Sequence, residues 1–403
     1  MDSVYLKKDF CCGCGACRLV CPKQCIVMAH DAEGFPFPVI DSSECIDCGI
    51  CRKFCDFQEP AAEEQTDVPA VFALKHKQGD VLKNSTSGGA FTAFSDFVLD
   101  KNGVVFGVLH DEALKVKTAF AETKAGRDQF RGSKYVQSDL GDSFLDVRRF
   151  LREGRFVLFS GTPCQAASLK RFLQGENTEK LLLVDLLCYG VSSPLLFAQY
   201  VAFLEEKNHD KIVEYYHRLK VNYSLQYKNF GWNGLTEGQK YSNGSLDYQS
   251  FESQMHQALY EFSLSRSCPN CKYARMHHVS DITIGDFWGI ESLLPDFDHN
   301  EGASLMLVHS EKGMDYFDAV KDSVNFEATQ SGYLQPIMTS PTPVNPRREQ
   351  FLADWHQYGF QYIIRHYADD TVPKRVGWKI KAPFRYVPAL IKVQDMLENI
   401  LHK

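Results

Sequence analysis

The sequence predicts a mixed α/β (α+β) protein in two parts: a small cysteine-rich module at the N-terminus, then a larger α/β domain built on parallel strands. Three observations carry this. Ten of the 14 cysteines fall within residues 11–55, a density that marks a compact module organised by its thiols. Residues 60–69, P-A-A-E-E-Q-T-D-V-P, are polar and bounded by prolines, as a linker is. Beyond them, apolar runs of strand length alternate with helical stretches, the pattern of a sheet covered by helices. The expected divisions are residues 1–60, a linker at 61–69, an α/β domain at 70–330, and a C-terminal extension at 331–403 to which no role is assigned.

The module repeats itself. Cys11-x2-Cys14-x2-Cys17-x3-Cys21 recurs as Cys45-x2-Cys48-x2-Cys51-x3-Cys55, offset by 34 residues. Two short apolar runs lie between the copies, Ile26 to Ala29 and Phe35 to Ile40, with the turn Asp31-Ala-Glu-Gly34 making them a hairpin. Three cysteines at x2 spacing wrap one iron–sulfur cluster within one loop, and the fourth of the run points at the other cluster. One [4Fe-4S] cluster is therefore expected on Cys11, Cys14, Cys17 and Cys55, and a second on Cys45, Cys48, Cys51 and Cys21. This is the pattern of a bacterial two-cluster ferredoxin domain. Gly13 and Gly15 admit the tight backbone path whose N–H groups bond the sulfurs. Pro22 follows Cys21 as the motif expects, while Asp56 stands where the second proline would be. Zinc sites use paired C-x2-C knuckles with four ligands per ion, not a threefold x2 run closed by x3, twice over. Cys12 and Cys25 have no place in the scheme and read as small packing residues beside the clusters.

The linker leads into the larger domain. Val71 to Leu74 and Val104 to Val108 read as strands, with a helix from about Gly88 to Leu99 between them. Phe156 to Phe159 is a strand, Pro163 to Leu173 a helix, Leu181 to Leu187 a strand, and Pro194 to Glu206 a helix. Four cysteines remain: Cys164, Cys188, Cys268 and Cys271. Cys164 follows Thr162 and Pro163 at a helix start, which favours a thiolate. Cys188 ends the next strand. A strand–helix–strand unit places both at the carboxyl edge of a parallel sheet, where α/β sheets bind ligands. Cys268-P-N-Cys271 is a knuckle on a loop, and together the four make a candidate third [4Fe-4S] site. Other readings compete: Cys188 as a core residue, Cys164 as a redox-active nucleophile, and Cys268 and Cys271 binding zinc with His277 and His278.

Two segments suggest a flavin. Ser85-Thr-Ser-Gly-Gly-Ala90 opens an apolar helix, where backbone N–H groups can meet a phosphate. Arg131 to Ser138, R-G-S-K-Y-V-Q-S, offers a cation, an aromatic ring and amides; plain capping and a surface turn are the bland readings of the two. The tail from Lys374 carries seven Lys or Arg against two acidic residues. It reads as a solvated terminal helix or as a contact for a partner or a membrane surface. Net charge is −7 with no long basic run, so nucleic acid is not an expected partner. The N-terminal residues lack an apolar signal-peptide stretch and no run reaches the length of a membrane span, so the expected location is cytoplasmic.

With N-S-T-S-G-G-A-F, G-S-K-Y-V-Q-S-D-L, S-G-T-P-C-Q, D-L-L-C-Y-G-V-S-S-P, S-C-P-N-C-K-Y-A and S-D-I-T-I-G-D-F-W-G in this order, the chain resembles the family of coenzyme F-420 hydrogenase/dehydrogenase beta subunits over roughly residues 1–320. The resemblance implies an FAD and [4Fe-4S] protein passing electrons between a ferredoxin-type donor and a flavin. It implies FAD contacts at Ser87, Gly88, Gly89, Lys134, Tyr135, Gln137 and Thr162, and a cluster site at the four late cysteines. The expected function is a flavin-linked oxidoreductase moving electrons from soluble ferredoxin, through clusters and FAD, to a small-molecule acceptor. The rival is a non-catalytic electron-transfer subunit whose partner subunit holds the substrate. No proton donor is assigned, although Tyr189, Asp286 and Trp288 fall near the implied site.

Overall fold

The computed structural model describes residues 4, 8–58, 69–220, 236–250, 258–299, 301–329 and 335–367. Most of the expected linker and all of the basic tail from Lys374 lie outside the described residues.

In the N-terminal module, β1 (Ile26–His30) and β2 (Pro36–Ile40) form the expected antiparallel hairpin, with Ile26 opposite Ile40. Each copy of the cysteine run turns into one helical turn, Ala16–Leu19 and Ile50–Lys53. The residues before them, Gly15 and Gly49, hold φ of 73° and 72°, a left-handed conformation that favours glycine at both equivalent points of the repeat. The module has little ordinary core. Cys17, Cys25, Ile26 and Cys51 are its buried centre, with Cys21, Cys45 and Cys55 packed against them.

The larger domain is centred on an eight-stranded sheet. Its strands are β3 (Ala70–His76), β4 (Val104–His110), β5 (Val116–Ala121), β6 (Val157–Gly161), β7 (Leu181–Leu186), β11 (Ile282–Asp286), β12 (Ser304–Val308) and β13 (Val324–Thr329), in the order β13-β3-β12-β11-β7-β6-β4-β5. The middle four, β11, β7, β6 and β4, are mutually parallel. The flanks are antiparallel. Strand alternation separates two cores. Leu158, Leu182 and Val184 face the helices Ala90–Asp100 and Glu311–Val320. Val157, Phe159, Leu181 and Leu183 face the helices Ser143–Arg152 and Pro163–Phe172. A three-layer sandwich results, with its parallel centre buried on both faces.

A second sheet, β8 (Ile212–Leu219), β9 (Thr236–Tyr241) and β10 (Leu246–Ser250), is antiparallel. It shares a core with the helix Pro194–Asn208 and with Phe351, Trp355 and Ile363 from beyond residue 330. Residues 348–366 are therefore integral to the fold as two helices, Arg348–Tyr358 and Phe360–His366.

The N-terminal module is docked, not tethered. Cys14, Ala16, Leu19 and Val20 join the core beneath the helices Ser143–Arg152 and Pro163–Phe172. The hairpin turn inserts on the other side. The Ser193 hydroxyl donates to the Glu33 carbonyl, and Arg348 pairs with the Glu33 carboxylate at 2.5 Å, with only 5% and 6% of the two side chains exposed. Burial pushes the Glu33 carboxyl up, although Arg348 and Arg266 pull the other way. Arg171 Nε donates to the Lys53 carbonyl at 2.9 Å, and Arg18 pairs with Asp142 at 2.5 Å.

Candidate functional site

The thiols of the module group as a crossed pair of quartets. Cys17 is pushed up by burial and then by the charges of Cys14, Cys11 and Cys55. Cys51 is pushed up by burial and then by Cys21, Cys48 and Cys45. Each run thus lends its last cysteine to the other group, as the helical turn after each third cysteine directs. Cys21, Cys45, Cys48 and Cys51 line one cavity together with Ile26, Ile40 and Ile46. Cys48 and Ile46 are exposed, whereas Cys17 is buried, so the second group faces solvent and the first faces the larger domain.

The four late cysteines also converge. β6 and β7 are adjacent and parallel, so their carboxyl ends deliver Cys164 and Cys188 to one edge. The Thr162 backbone N–H donates to Gln165 Oε1 at 3.0 Å, closing the helix start, and Thr162 Oγ1 lies 3.1 Å from Cys164 Sγ. The Cys268–Asn270 turn folds over this edge. Cys188 is raised by burial and then by Cys268, Cys164 and Cys271. Burial raises Cys268 to about 12 and Cys271 to about 11, with Cys164 contributing to both. Buried thiols that raise one another's pKa in this way suit a group that takes them as thiolates.

Among the described residues, no three or more His, Cys, Asp or Glu side chains gather closely enough for a single metal ion, as zinc at about 2.3 Å from each sulfur would require. His278, a zinc candidate on sequence, is engaged elsewhere. Its Nδ1 lies 2.9 Å from the buried Asp185 carboxylate, which also accepts from Ser280 Oγ at 2.8 Å and from Thr283.

Two contacts join the first quartet to the late one. The Cys12 thiol hydrogen-bonds to both Cys14 and Cys164, contacts that push it well up and pull both of them down, Cys14 to about 7. Asp56, next to Cys55, pairs with Lys272 at 3.0 Å and accepts from the Tyr273 hydroxyl, pinning the segment after Cys271. Neither role has a spacing motif. The one legible trace was Asp56 standing where a proline was expected.

The expected flavin residues occupy three neighbouring stretches. Ser87 Oγ donates to the Ala303 carbonyl at 2.7 Å, and Gly88 N–H to Ser304 Oγ at 3.0 Å. A Cβ on Gly88 would strike the Leu74 carbonyl and Ser304 nitrogen, so the sheet itself demands glycine there. Gly89, with φ of 85°, precedes the helix Ala90–Asp100. The Ser133 N–H donates to Thr86 Oγ1 at 3.3 Å, linking this turn to Lys134 and Tyr135. Lys134 Nζ donates to the Gln129 and Arg131 carbonyls at 3.0 Å each, and burial pulls it down to about 7. Gln137 Nε2 donates to the Cys12 carbonyl at 3.4 Å, so Gln137 and Thr162 lie beside the cysteine junction.

A polar chain runs past Tyr135. Arg218 pairs with Asp286, sits 5.0 Å over Trp288, and hydrogen-bonds Tyr135. Gln335 Nε2 donates to the Asp286 carbonyl at 2.6 Å and Tyr189 OH to Gln335 Oε1 at 2.8 Å. Tyr260 stacks edge-on to Tyr135 at 5.3 Å and feels the charges of Cys188 and Cys268. The structure thus brings Tyr189, Asp286 and Trp288 together with Arg218, Tyr260 and Gln335, which the sequence did not single out.

The family model for the C-terminal part of the coenzyme F420 hydrogenase/dehydrogenase beta chain matches residues 154–331, the stretch holding all four late cysteines. Residues 154–331 belong to this family. The F-type subunit of the F(420)H(2) dehydrogenase of Methanosarcina mazei is 22% identical over 337 residues, 79% of this chain and 84% of the relative. Ferredoxin-1 of Caulobacter vibrioides is 39% identical over 67 residues, 16% of this chain and about half (55%) of that ferredoxin. A chain in the F420-reducing [NiFe] hydrogenase complex from Methanosarcina barkeri matches with a TM-score of 0.43 and 15% identity, over 77% of this chain and 97% of that one. Among the described residues no helix is long and apolar enough to cross a membrane.

Proposed function

We propose that the chain is an iron–sulfur flavoprotein oxidoreductase that takes electrons from reduced ferredoxin and delivers them to a small organic acceptor of deazaflavin type. One observation carries the reading: three cysteine quartets lie in file, a solvent-facing one, a buried one, and a late one at the carboxyl edge of the sheet. Cys21, Cys45, Cys48 and Cys51 would hold one [4Fe-4S] cluster; Cys11, Cys14, Cys17 and Cys55 a second; Cys164, Cys188, Cys268 and Cys271 a third. FAD would lie against Ser87, Gly88, Gly89, Lys134, Tyr135, Gln137 and Thr162. When bound, the clusters carry single electrons and the flavin converts them to a two-electron transfer.

The residues themselves position and insulate. Cys48 and Ile46 present the outer quartet to a redox partner. Burial of Cys12, Cys17 and Ser168 keeps water out of the junction between the inner and late quartets. Arg218, held by Asp286, gives the acceptor site a fixed positive charge beside Tyr135, and Tyr189 next to Cys188 offers it a hydroxyl. A deazaflavin acceptor is supported by the names of the family and of the Methanosarcina relative.

A second reading, a non-catalytic subunit of a larger redox complex, is favoured by that relative being named a subunit. The test is the full-length chain reconstituted anaerobically. About 12 irons and about one FAD per chain are expected, with turnover from reduced ferredoxin to coenzyme F420. Iron near eight, or bound zinc, overturns the third site. Full loading without turnover until a partner is added decides for the subunit reading.

A further inference from the structure

Cys12 and Cys25 sit inside the cysteine runs without belonging to any quartet, and the structure gives them different surroundings. Cys25 Sγ lies 3.5 Å from Cys21 Sγ and hydrogen-bonds to Cys21 and Cys45, two thiols of the same quartet. Cys12 hydrogen-bonds to Cys14 and Cys164, thiols of two different quartets contributed by two different domains. Cys12 is 7% exposed, and its Sγ lies 4.0 Å from the buried Ser168 Oγ on the helix that begins at Pro163.

Each of these two sulfurs also has a hydroxyl of its own. Ser168 hydrogen-bonds Cys14, and Thr162 Oγ1 lies 3.1 Å from Cys164 Sγ. A thiol carries one proton, while a metal-bound thiolate only accepts. Cys12 can therefore serve Cys14 or Cys164 at any moment, but not both fully.

We propose that Cys12 is a shared hydrogen-bond donor that couples the inner and late quartets, its one proton turning towards Cys14 or Cys164 as negative charge moves between them. This rests on the iron–sulfur reading above. Hydrogen bonds to ligand sulfurs raise the reduction potential. The private donors, Ser168 and Thr162, set the two potentials separately, and Cys12 ties them together. One electron leaves one site and reduces the other by one, and Cys12 keeps its proton throughout, so no acid or base is consumed. Cys12 is a positioning residue: it binds no iron.

The test is an EPR-monitored redox titration of the full-length reconstituted chain with its iron content. Cys12→Ala should keep the parental iron and lower the potentials of both the inner and the late cluster. The expected size is up to about tenfold in each reduction equilibrium, about 59 mV for one electron. Cys12→Ser, which keeps a donor, should restore both towards parental values and serves also if the alanine variant folds poorly. Ser168→Ala should lower the inner potential alone, and Cys25→Ala only the outer one. The proposal is overturned if, with iron intact, Cys12→Ala moves one potential or neither. It is equally overturned if that variant loses a cluster, since Cys12 would then be a ligand. Failure of the underlying reading looks different: the parental chain itself would lack the four irons of the late site.

Discussion

The first eight paired cysteines and the last four reach similar groupings by opposite routes. Residues 11–55 bring eight thiols together within one short duplicated segment, and the sulfurs are themselves most of the buried centre. The late four span residues 164–271 and meet only because β6 and β7 are parallel neighbours and the Cys268 turn folds over their ends. The first grouping is written into local spacing. The second is a property of the sheet, and it should be only as durable as the sheet is.

The largest expected effect tests that dependence. Gly88→Val drives a branched side chain into the Leu74 and Ser304 backbone of the sheet and should cost more than about 4 kcal/mol, read by urea denaturation. The late site should be lost with it. Near-parental stability would mean that the sheet yields there and the late site depends on it less than its topology implies.

Next comes the contact that fastens the two regions to each other. Arg348→Ala leaves the Glu33 carboxylate buried with one cation fewer, and removal of one partner of a buried pair costs about 3–5 kcal/mol. A loss below about 1 kcal/mol would show that the hairpin is held by its apolar contacts alone.

Cys164→Ala acts on one site only. Iron should fall by about four of about 12, with the signals of the N-terminal clusters intact. If those signals change with it, the two regions are not separable, and the contrast between them is too sharp.

The smallest effect is one of pH. Burial would lower His278, but the Asp185 carboxylate outweighs it and its pKa is raised. A group raised on folding stabilises fully below its unfolded value of about 6.5 and loses that contribution as pH rises through the folded value. His278→Gln should therefore flatten the alkaline fall in melting temperature by about 1 kcal/mol equivalent and change little below pH about 6. An unchanged alkaline limb would exclude the charged pair.

Much of the fold was legible. The runs at 71–74, 104–108, 156–159 and 181–187 coincide with β3, β4, β6 and β7 because buried parallel strands read as continuous apolar stretches. The antiparallel flanks did not show themselves. β13 is exposed along most of its length, and its pairing with β3 joins residues some 250 apart, which no local pattern encodes. The role of Cys12 was hidden because its second partner, Cys164, comes from another domain. Asp56 was noticed only as a departure from the proline pattern, and its partners Lys272 and Tyr273 lie more than 200 residues away. Arg348 carried no signal at all, since a lone arginine in a helix of mixed character ordinarily faces water.

That arginine has a consequence for how the protein is made. Glu33 leaves the ribosome early and Arg348 emerges 315 residues later, so the hairpin turn of the first domain cannot acquire its buried counter-charge until synthesis is nearly done. Until then the seam against Ser193 and Leu264 stays unlatched, which leaves the nascent N-terminal loops open to cluster-loading machinery. A chain cut short before residue 348 never closes that seam, and the uncompensated carboxylate marks it as unfinished.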